Sequence, residues 1–111
     1  MFYTTLTIKD KEYKCRLNAK ACVDLEKRLR TNPLNIFTRV ASNGEVPPLE
    51  VLLQILHASL QTMEHGITLE KTYDLYDAYV EDGHTMVDLI PFILEIFKTS
   101  GFFVEDSDGK N

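Results

Sequence analysis

The stretch Pro47–Met63 constrains this chain more than any other. Two prolines lead into Leu49, Leu52, Leu53, Leu56, Leu60 and Met63. That spacing follows a helical period and covers a wide stripe. A helix this apolar on one side must lie against other elements. Pro47 and Pro48 suit a helix start, where a missing N–H costs nothing. Gly66 is the expected stop.

The other elements are arranged around this one. Leu6 and Ile8 alternate with Thr5, Thr7 and Lys9. After Lys-Asp-Lys-Glu, Tyr13, Cys15 and Leu17 alternate with Glu12, Lys14 and Arg16. Alternation at period two predicts a hairpin over 3–17 with one apolar face and Asp10-Lys11 at its tip. Glycine would suit the second tip position better, because tight primed turns want positive φ. Asn18 is placed to cap a helix from Ala19, with Cys22, Leu25 and Leu29 on its inner side and Val23 flanking. Thr-Asn-Pro at 31–33 ends it. Leu34, Ile36, Phe37 and Val40 predict a short second helix, followed by a loop at 42–45. Thr68 caps a further helix whose stripe reads Leu69, Tyr73, Tyr76 and Val80, with Gly83 as its stop. Pro91 is awkward inside a helix but acceptable in a first turn. Asp88 is therefore the expected cap of the last helix, with Ile93, Leu94 and Phe97 facing the core. The fold class that follows is mainly α with a small β part (α+β), an N-terminal hairpin followed by four to five helices. Residues 1–104 form one domain, and 105–111 read as a disordered acidic tail.

Composition narrows the function. With 111 residues, 44% apolar and 26% charged, the chain suits one soluble globular domain that needs no staples. It has no apolar run long enough for a membrane span and no signal-peptide pattern, so the cytoplasm is expected. Cys15 and Cys22 lack metal-ligand spacing, and His57, His65 and His84 do not pair with one another. No metal and no cofactor are expected. Asp74, Asp77 and Glu81 share one helical face, yet acid–base chemistry needs a desolvated carboxylate, and these oppose the apolar stripe. They read as a solvated face, and the chain does not read as an enzyme. Asp-Ser-Asp-Gly at 106–109 resembles the opening of a calcium loop, but the chain ends before the required glutamate. Residues 1–40 hold nine of the twelve Lys and Arg and four acids, whereas 41–111 hold three and thirteen. The acidic balance argues against nucleic acid, and the asymmetry suits head-to-tail self-association.

Six residues stand out as candidates for partner contact. Lys9, Lys11, Lys14 and Arg16 form a basic rim on the hairpin, placed to meet the acidic helices of a neighbour. At the other end, Gly101 suits a left-handed helix stop, and Phe102 is expected to fold back onto Phe97 or Lys98. In an extended segment Phe103 then points away from Phe102 and Val104. Phe103 and Val104, next to the acidic tail, are the expected partner-binding residues there.

The succession LTIKDKEYKCRL, LEKRL, NPLNIF, PPLEVLLQILHASLQ, TLEKTYDLYDAYVEDG and SGFF resembles the tail assembly chaperones of long-tailed bacteriophages and prophages of Gram-positive hosts. The resemblance covers roughly residues 6–103 and rests on the order of the pieces. Lys11 at the hairpin tip departs from it, since glycine is commoner there. Such chaperones bind the tape measure protein, keep it soluble and help recruit tail tube subunits during morphogenesis. They act in the bacterial cytoplasm and are absent from the mature virion. The resemblance thus implies a non-enzymatic role, with tape measure and tail tube proteins as partners and a homo-oligomer as the working form. The alternative is a small helical adaptor or regulatory protein that dimerises through its apolar helix face.

Overall fold

The computed structural model describes residues 2–102. The expectations for Phe103, Val104 and the tail at 105–111 fall outside the described residues. Two strands, β1 (Thr4–Ile8) and β2 (Lys11–Cys15), pair antiparallel and precede five helices. These are α1 (Ala19–Leu29), α2 (Pro33–Asn43), α3 (Leu49–Leu60), α4 (Leu69–Glu81) and α5 (Met86–Thr99). The architecture is the expected α+β one.

The leucine-rich helix α3 is the hub, packing on α1, α4, α5 and β2. Leu52, Leu53, Ile55, Leu56 and Leu60 are all buried. Most of the stripe is therefore used within the chain, while Leu49 is half-buried and Met63 exposed. The helix stops at Leu60, short of Gly66. Gln61 ends it, its side-chain amide donating to the carbonyls of His57 at 3.0 Å and Ile67 at 2.6 Å. Those two bonds satisfy a terminal carbonyl and tie down the loop, so Met63 lies exposed beyond the helix.

The hairpin packs its apolar face on α3, α4 and α5. Leu6, Ile8, Cys15 and Leu17 are buried as the alternation predicts. Its tip is Lys9-Asp10, one residue earlier than expected, because Ile8 pairs with Lys11. The positive φ of 55° therefore falls on Lys9. The Asp82 carboxylate accepts the Lys9 backbone N–H at 2.8 Å and holds the residue in that conformation.

Local signals set most helix starts. The Asn18 side chain accepts the Ala21 N–H at 2.8 Å, and Thr68 accepts the Lys71 N–H at 3.0 Å. Helix α1 ends at Arg30, which adopts a left-handed conformation (φ 58°), before the Thr-Asn-Pro stretch is reached. Pro33 then opens α2 behind Asn32, whose side chain accepts the Leu34 N–H at 2.9 Å. Helix α2 runs on through Ser42 and Asn43, residues expected in a loop, and stops at Gly44 with φ 71°.

Two helices depart from expectation in ways that matter. In α4 the buried residues are Thr72, Leu75 and Tyr79, while Tyr73 and Val80 are 40% and 43% exposed. Each buried position precedes the expected one, a rotation of roughly 100° about the helix axis. Thr72 tolerates burial because its hydroxyl donates to the Thr68 carbonyl at 2.9 Å. In α5 the start is Met86, three residues before the expected Leu89. Asp88 is not the cap; it reaches back to accept the Thr85 N–H at 2.9 Å, as the third residue of a capping box does. Pro91 thus sits inside the helix. It would free the carbonyl four residues back, that of Val87, on an exposed part of the surface where water replaces the lost bond. Ile96 is fully buried where Leu94 was expected, and Leu94 is half-buried.

Candidate partner-binding surface

The basic rim of the hairpin is largely engaged within its own chain. Lys9 Nζ lies 3.3 Å from the Glu81 carboxylate, and both side chains are well exposed. Lys14 lies over the Tyr3 ring and Lys11 over the Tyr13 ring, at 5.1 and 5.7 Å from the centroids. Arg16 donates to the Phe2 carbonyl at 2.7 Å and covers the Phe2 ring. The four cations do not converge on one point. The acid that Lys9 meets within the chain is Glu81 of α4. Such surface pairs are worth only about 0–1 kcal/mol, so they remain exchangeable for a partner.

The rotation of α4 creates a surface that the sequence did not reveal. Tyr73, expected on the inner stripe, is 40% exposed, and Tyr76 is half-buried against the core; both line a shallow groove of about 330 Å³ with Leu49, Glu50, Leu53 and Asp77. Val80 continues the apolar strip one turn on. Glu70, Asp74, Asp77 and Glu81 flank it, all exposed. A signal for this was present: tyrosine is at home on a half-wet surface, whereas Leu75 one residue away is not.

A second cavity, of about 280 Å³, opens between α1 and α3 and is lined by Asn18, Asp24, Arg28, His57, Gln61 and Thr62 among others. His57 Nδ1 and Thr62 Oγ1 are buried there with no hydrogen-bond partner among the described residues. Burial, and next the nearby Arg28 cation, push the His57 pKa down from its ordinary value. Both effects favour the neutral imidazole.

No group of His, Cys, Asp and Glu among the described residues is arranged to hold a metal ion. Cys15 and Cys22 are both free and buried. Burial lifts the Cys15 thiol to about 12, the opposite of what a nucleophile needs. His84 stacks on Tyr79, with ring centroids 4.3 Å apart, and its Nδ1 lies 3.7 Å from the Asp88 carboxylate. Asp74, Asp77 and Glu81 are exposed, as expected for a solvated face. Among the described residues no helix is long and apolar enough to cross a membrane.

Neither a curated protein nor a solved structure matches the chain. A protein-family model does, and it spans residues 2–110. The chain therefore belongs to the family of unknown function DUF6096.

Proposed function

We infer that this chain is a phage tail assembly chaperone, which binds a tape measure protein, keeps it soluble and helps recruit tail tube subunits around it. It works in the bacterial cytoplasm and is absent from the finished virion. The observation that carries the reading is the Tyr73–Tyr76 groove. It is an apolar strip at the rim of the core, where Tyr73 stays 40% exposed and Tyr76 and Leu49 are half-buried, presented among acidic side chains. An amphipathic client helix with basic flanks fits it: the apolar face covers the tyrosines and Leu49, while Glu70, Asp74 and Asp77 meet the flanks. A tape measure protein, long and helical with apolar stretches, supplies such segments. The order of sequence segments described above supports the same assignment. Phe103 and Val104, outside the described residues, stay candidates for partner contact on the sequence alone.

Co-expression with overlapping tape-measure segments, followed by co-purification, tests the reading. The expected result is retention of at least one helical segment by the wild-type chain. Tyr73→Ala with Tyr76→Ala weakens that retention about tenfold or more, as loss of aromatic anchors does. Phe103→Ala weakens it with stability unchanged within about 1 kcal/mol. Failure of the wild-type chain to retain any segment, or undiminished retention by the folded double variant, would sink the assignment of this groove.

A further inference from the structure

The two outer edges of the hairpin are treated differently. Ile8 opposes Lys11, Leu6 opposes Tyr13 and Thr4 opposes Cys15 around a two-residue tip. In such a hairpin the closing pair is hydrogen-bonded, so the internal ladder uses even-numbered residues of β1 and odd-numbered residues of β2. The alternate residues direct their N–H and C=O groups outward. On β2 two outward N–H groups away from the tip are occupied: Lys14 donates to the Glu64 carboxylate at 2.8 Å, and Arg16 to the Ser59 carbonyl at 2.8 Å, while Glu12 next to the tip carries a charge instead. At the tip, Lys9 donates to Asp82. On β1, Thr5 and Thr7 have no backbone partner outside the hairpin among the described residues, and both are exposed.

An open edge is a template for another strand, and proteins ordinarily blunt it with charge, proline or a bulge. Strand β1 reads Thr-Thr-Leu-Thr-Ile and has none of these. Its neighbour β2 carries Lys11, Glu12 and Lys14, and its edge is bonded at Lys14 and, just beyond the strand, at Arg16.

We propose that β1 pairs antiparallel with β1 of a second copy of this chain, about a two-fold axis at Leu6, to form a four-stranded sheet in the order β2–β1–β1–β2. Thr5 of one copy then exchanges two hydrogen bonds with Thr7 of the other, and Thr7 with Thr5, while the two Leu6 residues oppose each other. The argument for a second copy is the neutrality of the strand. Isologous pairing sets a strand against itself, so any charge near the axis is duplicated at close range. Strand β1 holds no charge, and its exposed pairs would be Thr–Thr, a favourable cross-strand combination. The register is limited at one end, because the next outward N–H, that of Lys9, is already held by Asp82. Backbone pairing of this kind is insensitive to salt, unlike association through the hairpin's cations.

Backbone hydrogen exchange on the unmodified chain tests this directly. The amides of Thr5 and Thr7 should exchange like open amides in dilute solution. As concentration rises they should slow by roughly tenfold or more, in step with a monomer–dimer shift in sedimentation that salt does not abolish. Thr5→Pro removes an outward N–H without touching the internal ladder and should remain monomeric. If that variant fails to fold, the concentration dependence of the wild-type amides decides alone. Fast exchange at Thr5 and Thr7 at every concentration overturns the proposal. So does a folded Thr5→Pro variant that still dimerises, or protection that develops only on adding a foreign peptide.

Discussion

Phe102 closes the last helix onto Phe97. Its N–H donates to the Phe97 carbonyl at 2.9 Å, and its ring meets the Phe97 ring edge-on with centroids 6.1 Å apart. Gly101, at φ 91°, donates to the Lys98 carbonyl at 3.1 Å. Together these bonds make a Schellman stop with its apolar contact. The contact reaches the centre of the core, since Phe97 is fully buried and also meets Phe37 edge-on at 5.7 Å.

Truncating this closure should be felt. Phe102→Ala is expected to lower stability by about 2 kcal/mol, less than a fully buried aromatic because one side of the ring stays wet. Gly101→Ala should cost about 1 kcal/mol from backbone conformation alone, because a Cβ there meets no atom within 4 Å. Denaturant melts check both. A loss under 0.5 kcal/mol for Phe102→Ala would show that the ring contact contributes little beyond the backbone bonds.

Lys9 carries the strain of the hairpin tip. Lys9→Gly should raise stability by about 0.5 kcal/mol, since relief of the left-handed conformation exceeds the loss of an exposed ion pair with Glu81. Lys11→Gly, in a paired strand position, should instead destabilise the chain. Equal effects at the two positions would place the tip wrongly. Thermal melts of the two variants, measured side by side, give the answer.

Cys15 should be inert in the native chain. Its folded pKa of about 12 exceeds the ordinary 9.0. A raised acid pKa means that stability is full below the ordinary value and falls as pH climbs from about 9 towards 12. Tyr79, raised by burial and next by Asp88, adds to the same alkaline loss, as does Cys22, raised by burial and then by Glu26. Stability measured upward from pH 9 should decline, and Cys15→Ala should shallow the slope. Disulfide-exchange reagents should reach Cys15 only as the chain unfolds. Rapid native labelling of Cys15 would mean that the hairpin opens readily.

His57 should produce an acid-side loss. Its pKa is lowered in the folded chain, so the unfolded chain binds the proton more tightly. Stability is then full above the ordinary value of 6.5 and falls as pH drops below it. His57→Leu should flatten this part of the profile and, by removing a buried nitrogen without a partner, leave stability at neutral pH unchanged or higher. An unaltered profile in the variant would assign the acid-side loss to other groups.

Elements whose signals are local were legible in the sequence. The alternation of 3–17, the caps at Asn18 and Thr68, and the Gly101–Phe102 stop depend on residues within a few positions of one another, where backbone stereochemistry and one side-chain hydrogen bond decide. The burial of Leu52, Leu53, Leu56 and Leu60 was legible too, because leucine has no second use that competes with the core. Tertiary structure decided the rest. Tyr73 and Tyr76 are amphipathic and satisfied on either side of a helix, so only the docking of Leu75 and Tyr79 against the rest of the core rotates α4 and turns the tyrosines into a groove. Pro91 is tolerable inside α5 only because the helix turns it outward. Lys9 keeps its left-handed conformation because Asp82, distant in sequence, accepts its N–H. The open edge of β1 likewise follows from packing: Glu64 and Ser59 meet N–H groups on one side of the hairpin, and no described residue reaches the backbone of Thr5 and Thr7 on the other.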